Sequence, residues 1–488
     1  MSILKWLILL PFLLRQAMAL DDAQARFYEA MELASTEGIP ALVRKLDQIA
    51  NTASSSPSAP QIHETILVIG LLHPGSVPDL SARLESLKGS ASGNPGLGKV
   101  LRRFNILQAY YAAAVNGHPE SGSAALSDPV FEECPYGTLA RADAALRAHA
   151  YANAEMLALE VIENDPYSPL LSNAYMILGL SSAFQGNNGS ALTHFQHALA
   201  ASELPTIYGN PRDYAFTTYR FARPVPAAVG AIYDQAVPSP ISAELKNPKA
   251  LVFNGKNYIL VEREMLLTVS TDGKVLDRKP VRKIEDVAVD GNGQMYSITE
   301  DSIDFGNGSV AALSLNAGKK TKRVDGLCSV AAGIGGDLYF LDKDAGLLRG
   351  TAAVQGGTLG LTAFVPVKGR IVRTDAWGNI YVLDKERIQI FSREGKPLAS
   401  ISPEPVAGKV GSLEFFALDA LNHLYLLAEN SIQIFALKNS TAGFEKSLVG
   451  TIAFDERPLF RNLKILGVNP AGELAVTGKS ENNWVSFK

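Results

Sequence analysis

The sequence predicts a two-part molecule, an all-helical first half and an all-strand second half built from one repeated four-stranded unit. Three observations predict it. Apolar residues recur at three- and four-residue spacing from Asp21 to about Tyr219, the period of helices with one buried face. After Lys249 the period changes to alternation, the mark of half-buried strands. Between the two, Pro224, Pro226, Pro238, Pro240 and Pro248 crowd a short span, which disfavours helix interiors and suits a semi-rigid connector.

The chain has 488 residues, enough for two or more domains each with its own core. Apolar residues make up 47% and charged residues 19%, the balance of a globular protein. A formal net charge of −4 gives no electrostatic reason to expect nucleic acid as a partner. Cys134 and Cys328 are the two cysteines; they fall in different halves and read as unpaired, buried thiols rather than a disulfide framework.

Residues 1–19 read as a secretory signal. Lys5 supplies the positive start, Trp6 to Leu14 the short apolar run, and Ala17-Met18-Ala19 the small-x-small cleavage site. The run is too short to span a bilayer, and no later segment is long and apolar enough to do so. The expectation is an exported protein, periplasmic or extracellular, with no stable membrane insertion once the signal is removed.

Within the helical half, assigned to residues 20–220, ARFYEAMELAS and PALVRKLDQIA break at Gly38-Ile39-Pro40. QIHETILVIGLL and VPDLSARLESLK give a second helix pair, and GSASGNPGLG reads as a loose segment before KVLRRFNILQAYYAAAV. The sharpest signal is SNAYMILGLSSAFQGNNGSALTHFQHALAASELP, Ser172 to Pro205. It resembles a tetratricopeptide repeat (TPR), with Tyr175, Leu178 and Gly179 at the first helix's large, large and small positions, and Ala191, Phe195 and Ala198 at the second's. Ser182 departs from that family, which carries an aromatic there. The segment before it, ending at Asp165-Pro166, is a weaker copy. By this resemblance Asn173, Met176, Leu180 and Ala183 line a groove, and their largely apolar character suits an extended peptide, a neighbouring helix or, equally, packing against an adjacent repeat.

Residues 221–245 are expected to be the linker. In the strand half, residues 246–488, a turn followed by an aromatic recurs at Tyr258, Tyr296, Tyr339, Tyr381 and Tyr425, with Ala475 in the last copy, at intervals of 38 to 50 residues. That spacing fits one propeller blade per copy, so the copies imply a six-bladed β-propeller. Residues 370–398 are the clearest copy: Asp375, Gly378, Asn379, Tyr381, Val382, Asp384, Gln389 and Phe391 resemble an NHL-type repeat. The last copy ends after three strands, and the segment Ile241 to Leu245 is expected to supply the fourth and close the ring.

Nothing announces a reaction. Gly93 to Val100 superficially matches a phosphate-binding loop but has Val100 where a Ser or Thr is needed and no strand before it. His194 and His197 share a helix face at metal-ligand spacing without a third ligand. Asp290, Asp375 and Asp419 recur at one repeat position, which points to capping of turn N–H groups. Lys319, Lys320, Lys322 and Arg323 read as a solvated loop. Some NHL-like propellers are lyases that hold a metal with channel histidines, whereas this half has only His423. The expectation is a non-enzymatic scaffold binding a protein or peptide of an envelope complex, with no cofactor. The competing reading is a glycan- or peptide-acting lyase or hydrolase using a divalent cation at the channel mouth.

Overall fold

Helical periodicity in the first half becomes ten helices among the described residues. They are α1 (Asp22–Thr36), α2 (Ile39–Thr52), α3 (Ala59–Leu72), α4 (Leu80–Ser90), α5 (Pro95–Val115), α6 (Pro119–Ser123), α7 (Pro135–Arg147), α8 (Tyr151–Asn164), α9 (Leu171–Phe184) and α10 (Asn188–Ala201). An eleventh, α11 (Pro211–Ala222), follows. The computed structural model describes residues 22–487 apart from 53–55, 74, 116–117, 133, 165–168, 203, 205, 223–235, 241–247, 263, 282, 291–292, 307–308, 318–319, 325, 352–356, 407, 441–442, 455–462 and 479–482. The signal assigned to residues 1–19 therefore lies outside the described residues. Two compact units result: one ends at Arg212, and the other is Asp213–Lys488 with the short pieces Val115–Gly117 and Ala183–Gly189.

Amphipathic spacing builds the first unit. In α2, Ile39, Leu42, Val43, Leu46, Ile49 and Ala50 are buried at helical intervals and pack with Phe27, Ala30 and Met31 of α1 and Ile62, Ile66 and Ile69 of α3. Further along, Asp143 of α7 is fully buried and accepts from Tyr110 Oη (2.7 Å), Tyr208 Oη (2.6 Å) and Arg147 Nε (2.8 Å). Its charge is thus paired and hydrogen-bonded, as burial demands. The α9–α10 hairpin turns at Gly186 with φ 83°. Its helices lie so close that a Cβ on Gly179 would stand 2.4 Å from Phe195 Cε1.

The loose segment expected before α5 is ordered instead. Ala91–Gly93 form a 3-10 turn, and Asn94 caps α5 by accepting from Leu97 N at 3.2 Å. Pro95 then takes the first helical position, where its missing N–H costs nothing. Gly96, Gly98 and Lys99 are helical, so this is no phosphate loop.

The second unit is β-propeller-like. Its described strands form four four-stranded sheets and one nine-stranded sheet, and three of the four-stranded sheets are built wholly from consecutive antiparallel strands. The nine-stranded sheet arises because Thr358–Val365 pairs in parallel with Val310–Ala317, joining two meanders at their outer strands. The first strand of each meander touches the first strand of the next: Ala250–Phe253, Asp286–Val289, Leu327–Ala332, Ile371–Thr374, Leu413–Leu418 and Leu463–Val468. The last of these touches the first, so the inner strands close a ring. Leu383, Ile388, Ile390, Leu426, Ile432 and Trp484 fill the core between sheets.

Part of the span assigned to the linker is regular structure. Helix α11 runs to Ala222, and Ala236–Pro240 is a strand antiparallel to Asn483–Phe487. This strand lies just before the segment Ile241 to Leu245 that was expected to close the ring, which falls outside the described residues. Proline is tolerated there because a strand edge with no further partner needs no N–H donor.

Candidate functional site

The four groove residues expected in the helical unit lie on α9. Asn173, Met176 and Leu180 are buried, at 0%, 0% and 3% exposure, and Ala183 is half-buried. Asn173 Nδ2 lies 3.2 Å from His73 Nε2, which holds that ring nitrogen as acceptor, while Asn173 Oδ1 has no partner among the described residues. Three of these four positions therefore lie inside the helical unit rather than on its surface. Of the histidine pair, His197 meets the Tyr175 ring edge-on at 5.1 Å. Burial, then the neighbouring His197, holds His194 below the usual imidazole range. Cys134 and Cys328 are free thiols; burial pushes both up, Cys328 to about 12, which removes the thiolate at neutral pH.

The recurring turn acids are consumed by their own turns. Asp375 Oδ1 accepts from Trp377 N and Asn379 N, both at 2.9 Å. Its Oδ2 accepts from Asn379 Nδ2 (2.8 Å) and Tyr381 Oη (2.9 Å). Asp419 repeats the pattern with Leu421 N, His423 N and Tyr425 Oη, and His423 Nδ1 stands 2.8 Å from its Oδ2. Asp290 accepts from Gln294 N (2.9 Å) and Tyr296 Oη (3.1 Å). Asn469, in the copy that lacks the tyrosine, keeps the backbone half of the device by accepting from Glu473 N. In these three copies the aspartate, the turn and the tyrosine thus form one unit, whereas Tyr258 Oη donates to Glu473 O and Tyr339 Oη to Asp337 Oδ2.

Inside the ring lies a feature the repeat pattern did not flag. Arg373, on the strand Ile371–Thr374, reaches past the neighbouring inner strand to Asp286 on the next but one. Its Nη1 and Nη2 meet the two carboxylate oxygens at 2.8 and 3.2 Å. Ser329, on the strand between, donates to Asp286 Oδ2 at 2.5 Å and accepts from Val372 N at 3.0 Å. Arg373 also donates to Val372 O (2.7 Å) and lies over the Phe415 ring at 5.4 Å. Asp286 and Ser329 are buried, so the charge pair is desolvated and fully partnered. A signal did exist. The residue opposite the recurring aromatic is Ala288, Ala331 or Ala417 in three copies and Phe253 in another, and Gly467 stands opposite Ala475 in the copy that lacks the aromatic, but Arg373 stands opposite Tyr381.

Above this pair is a cavity of about 370 Å³, lined by Asn254, Asp290, Arg373, Phe415, Asp419 and Pro470 among others. It opens at the turn end of the inner strands. Helix α11 packs beside it within the same unit: Thr217 Oγ1 donates to Pro470 O at 2.8 Å, and the Phe221 ring stacks on His423 at 3.8 Å and 16°. No group of three or more histidine, cysteine or acidic side chains with metal-holding geometry occurs among the described residues.

No family model matches the chain, and no curated protein matches it. Solved structures do. A streptogramin B lyase is similar at 10% identity over 52% of this chain and 97% of its own, with a TM-score of 0.37. A gluconolactonase from Xanthomonas campestris is similar at 14% identity over 54% of this chain and 92% of its own, with a TM-score of 0.39. The Swd1 β-propeller domain of Myceliophteria thermophila is similar at 10% identity over 52% and 98%, with a TM-score of 0.35.

Proposed function

We propose that this chain is a non-enzymatic exported scaffold that binds protein partners in the periplasm or cell envelope, through a TPR-like helical array and a face of a six-bladed propeller. The observation that carries this reading is the state of the acids around the ring. Asp375 and Asp419 each have both carboxylate oxygens occupied by their own turn, and Asp286 is neutralised by Arg373. A catalytic or metal-binding carboxylate needs a lone pair aimed at substrate or cation, and these are spent on the fold. The blade count is supported by the ring of inner strands, with the nine-stranded sheet read as two blades fused along their outer edges. The Gly179–Phe195 contact supports the TPR-like reading of α9 and α10. Since Asn173, Met176 and Leu180 are buried, they belong to the partner surface only where the array opens.

The competing reading, a lyase or hydrolase using a divalent cation, has one observation in its favour: the cavity at the turn end, with Asp290 in its wall. Two measurements separate the readings. Cross-linking of the full chain in cells, followed by reconstitution of any captured envelope protein with purified chain, should give a stoichiometric complex. Divalent-cation-dependent cleavage of a glycan or peptide by the purified chain, lost on Asp290→Asn, would replace the scaffold reading with the enzymatic one.

A further inference from the structure

The outermost strand of a meander turns one row of N–H and C=O groups away from its own sheet, a template for pairing with another chain. In the propeller-like unit most of these edges are blunted. Ala236–Pro240 carries Pro238 and Pro240, which have no N–H to donate. Val275–Pro280 sets Asp277, Arg278 and Lys279 along its edge and ends in proline. Pro397–Ile401 is five residues long, starts in proline and gives Ser400 O to Lys446 Nζ at 2.9 Å. Thr358–Val365 and Val310–Ala317 cover each other, and Lys320–Arg323, which pairs with the end of the latter, is basic at three of its four positions.

Gly443–Ala453 lacks these devices over most of its length. It has eleven residues and no proline, and from Ser447 to Ala453 it carries no charge. Among the described residues it pairs with Ser431–Ser440 and with no strand on its other side. The register shift opposite Ile434 and Phe435 bulges it at Val449, but the outer strands at residues 275–280 and 397–401 have the same shift. Leu448 stands 43% exposed on it. Of its two charged residues, Lys446 reaches Ser400 O, which leaves Glu445 as the exposed charge beside the edge. The direction of the free amides follows from the ladder. Phe454 N donates to Asn430 O at 2.8 Å, and the N–H direction alternates along a strand, so Ile452 points inward and Thr451 outward. The molecule already shows one such edge taking a further strand, since Thr358–Leu361 lies parallel along Ala312–Leu315.

We propose that the Gly443–Ala453 edge binds an extended segment of a partner protein by strand addition. Main-chain hydrogen bonds hold the segment, apolar or β-branched side chains lie beside Ser447–Ala453, and a basic residue meets Glu445. This rests on the scaffold reading and assigns its propeller contact to the rim of one meander.

The test uses the full chain and the peptide Lys-Lys-Thr-Leu-Gly-Leu-Thr-Ala-Phe-Val, which copies Thr358–Val365 behind a basic end. Titration calorimetry is expected to show one site. N-methylation of alternate peptide amides removes the donors along one edge of an added strand. One methylated set should weaken binding at least about tenfold and the complementary set far less. Thr451→Pro, which deletes an outward N–H, should weaken binding of the parent peptide by about the same factor. Should that variant fail to fold, the two methylated peptides read the same contact on the native chain. Absence of binding, equal loss with both methylated sets, or full binding to folded Thr451→Pro would overturn the proposal. Dimerisation of the chain that Thr451→Pro abolishes would give the edge to a second copy and overturn it too. An envelope protein that cross-links equally to native chain and Thr451→Pro would overturn the rim contact alone and leave the scaffold reading standing.

Discussion

One methyl group is enough to test how α9 and α10 interlock. Gly179 lies against the fully buried Phe195 ring, and an added Cβ would enter the space of Cε1 and Cδ1. Neither element can yield without separating the hairpin, so Gly179→Ala should destabilise the helical unit by about 1–3 kcal/mol, read as a lower thermal midpoint in far-UV circular dichroism. The turn acids make a second test. Asp375→Ala would strand Tyr381 Oη, Asn379 Nδ2 and two backbone N–H groups in a buried turn. The cost should be about 3 kcal/mol in chemical denaturation, and Asp375→Asn, which keeps an acceptor at Oδ1, should cost less. An equal cost for both variants would mean that the charge, not the acceptor geometry, holds the turn.

At the scale of elements, three histidines give the helical unit a pH dependence of definite sign. Burial holds His63 (α3), His149 (after α7) and His194 (α10) below the usual imidazole pKa; Arg83 adds to the effect at His63 and His197 adds to it at His194. In the unfolded chain each takes a proton near pH 6.5, while in the fold each resists until lower pH. The unfolded state therefore binds more protons in that window, and stability falls as pH drops below 6.5. Glu64, held above its usual range by burial despite Arg103, gives the opposite slope above its unfolded pKa of 4.5. The diagnostic measurement is therefore a comparison: His63→Gln should flatten the fall in helical melting temperature between pH 6.5 and 5.5. A slope unchanged by His63→Gln would show that this histidine is not responsible. These elements also mark how far the sequence could be read. The helix period, the Gly179–Phe195 interlock and the turn aspartates were legible because each is set by residues close in the chain or by a fixed repeat offset. Whether Asn173, Met176 and Leu180 face a groove or a neighbouring helix was left open by the sequence, because the face a helix covers depends on neighbours up to 100 positions away, such as His73. The capping role of Asn94-Pro95 was written in the sequence but masked by the surrounding glycines.

For the whole molecule, the Asp286–Arg373 pair is the contact across the inner ring that the repeat grammar hides. Its partners are 87 residues apart, and Ser329 between them ties the intervening meander to both. Local alternation reports which residues are buried in a strand, not which strand two copies away supplies a counter-charge. Only the register reveals it, as an arginine where most copies have alanine or glycine. Removing the cation alone leaves a desolvated carboxylate held by Val287 N, Val330 N and Ser329 Oγ but without its counter-charge, so Arg373→Met should cost about 3–5 kcal/mol and open the inner ring to hydrogen exchange at Asp286–Val289 and Leu327–Ala332. Neutralising both ends should be far milder, because the cost of a buried pair lies in breaking it rather than in lacking it. Asp286→Asn combined with Arg373→Met is therefore expected to recover most of the lost stability. The asparagine can still accept from Ser329 and Val330 N, which approach the Asp286 carboxylate in the native chain. If the double variant is as unstable as Arg373→Met, the arginine acts by filling the channel and by its bonds to Val372 O and the Phe415 ring. Recovery would instead identify charge compensation across three meanders as what keeps the ring closed.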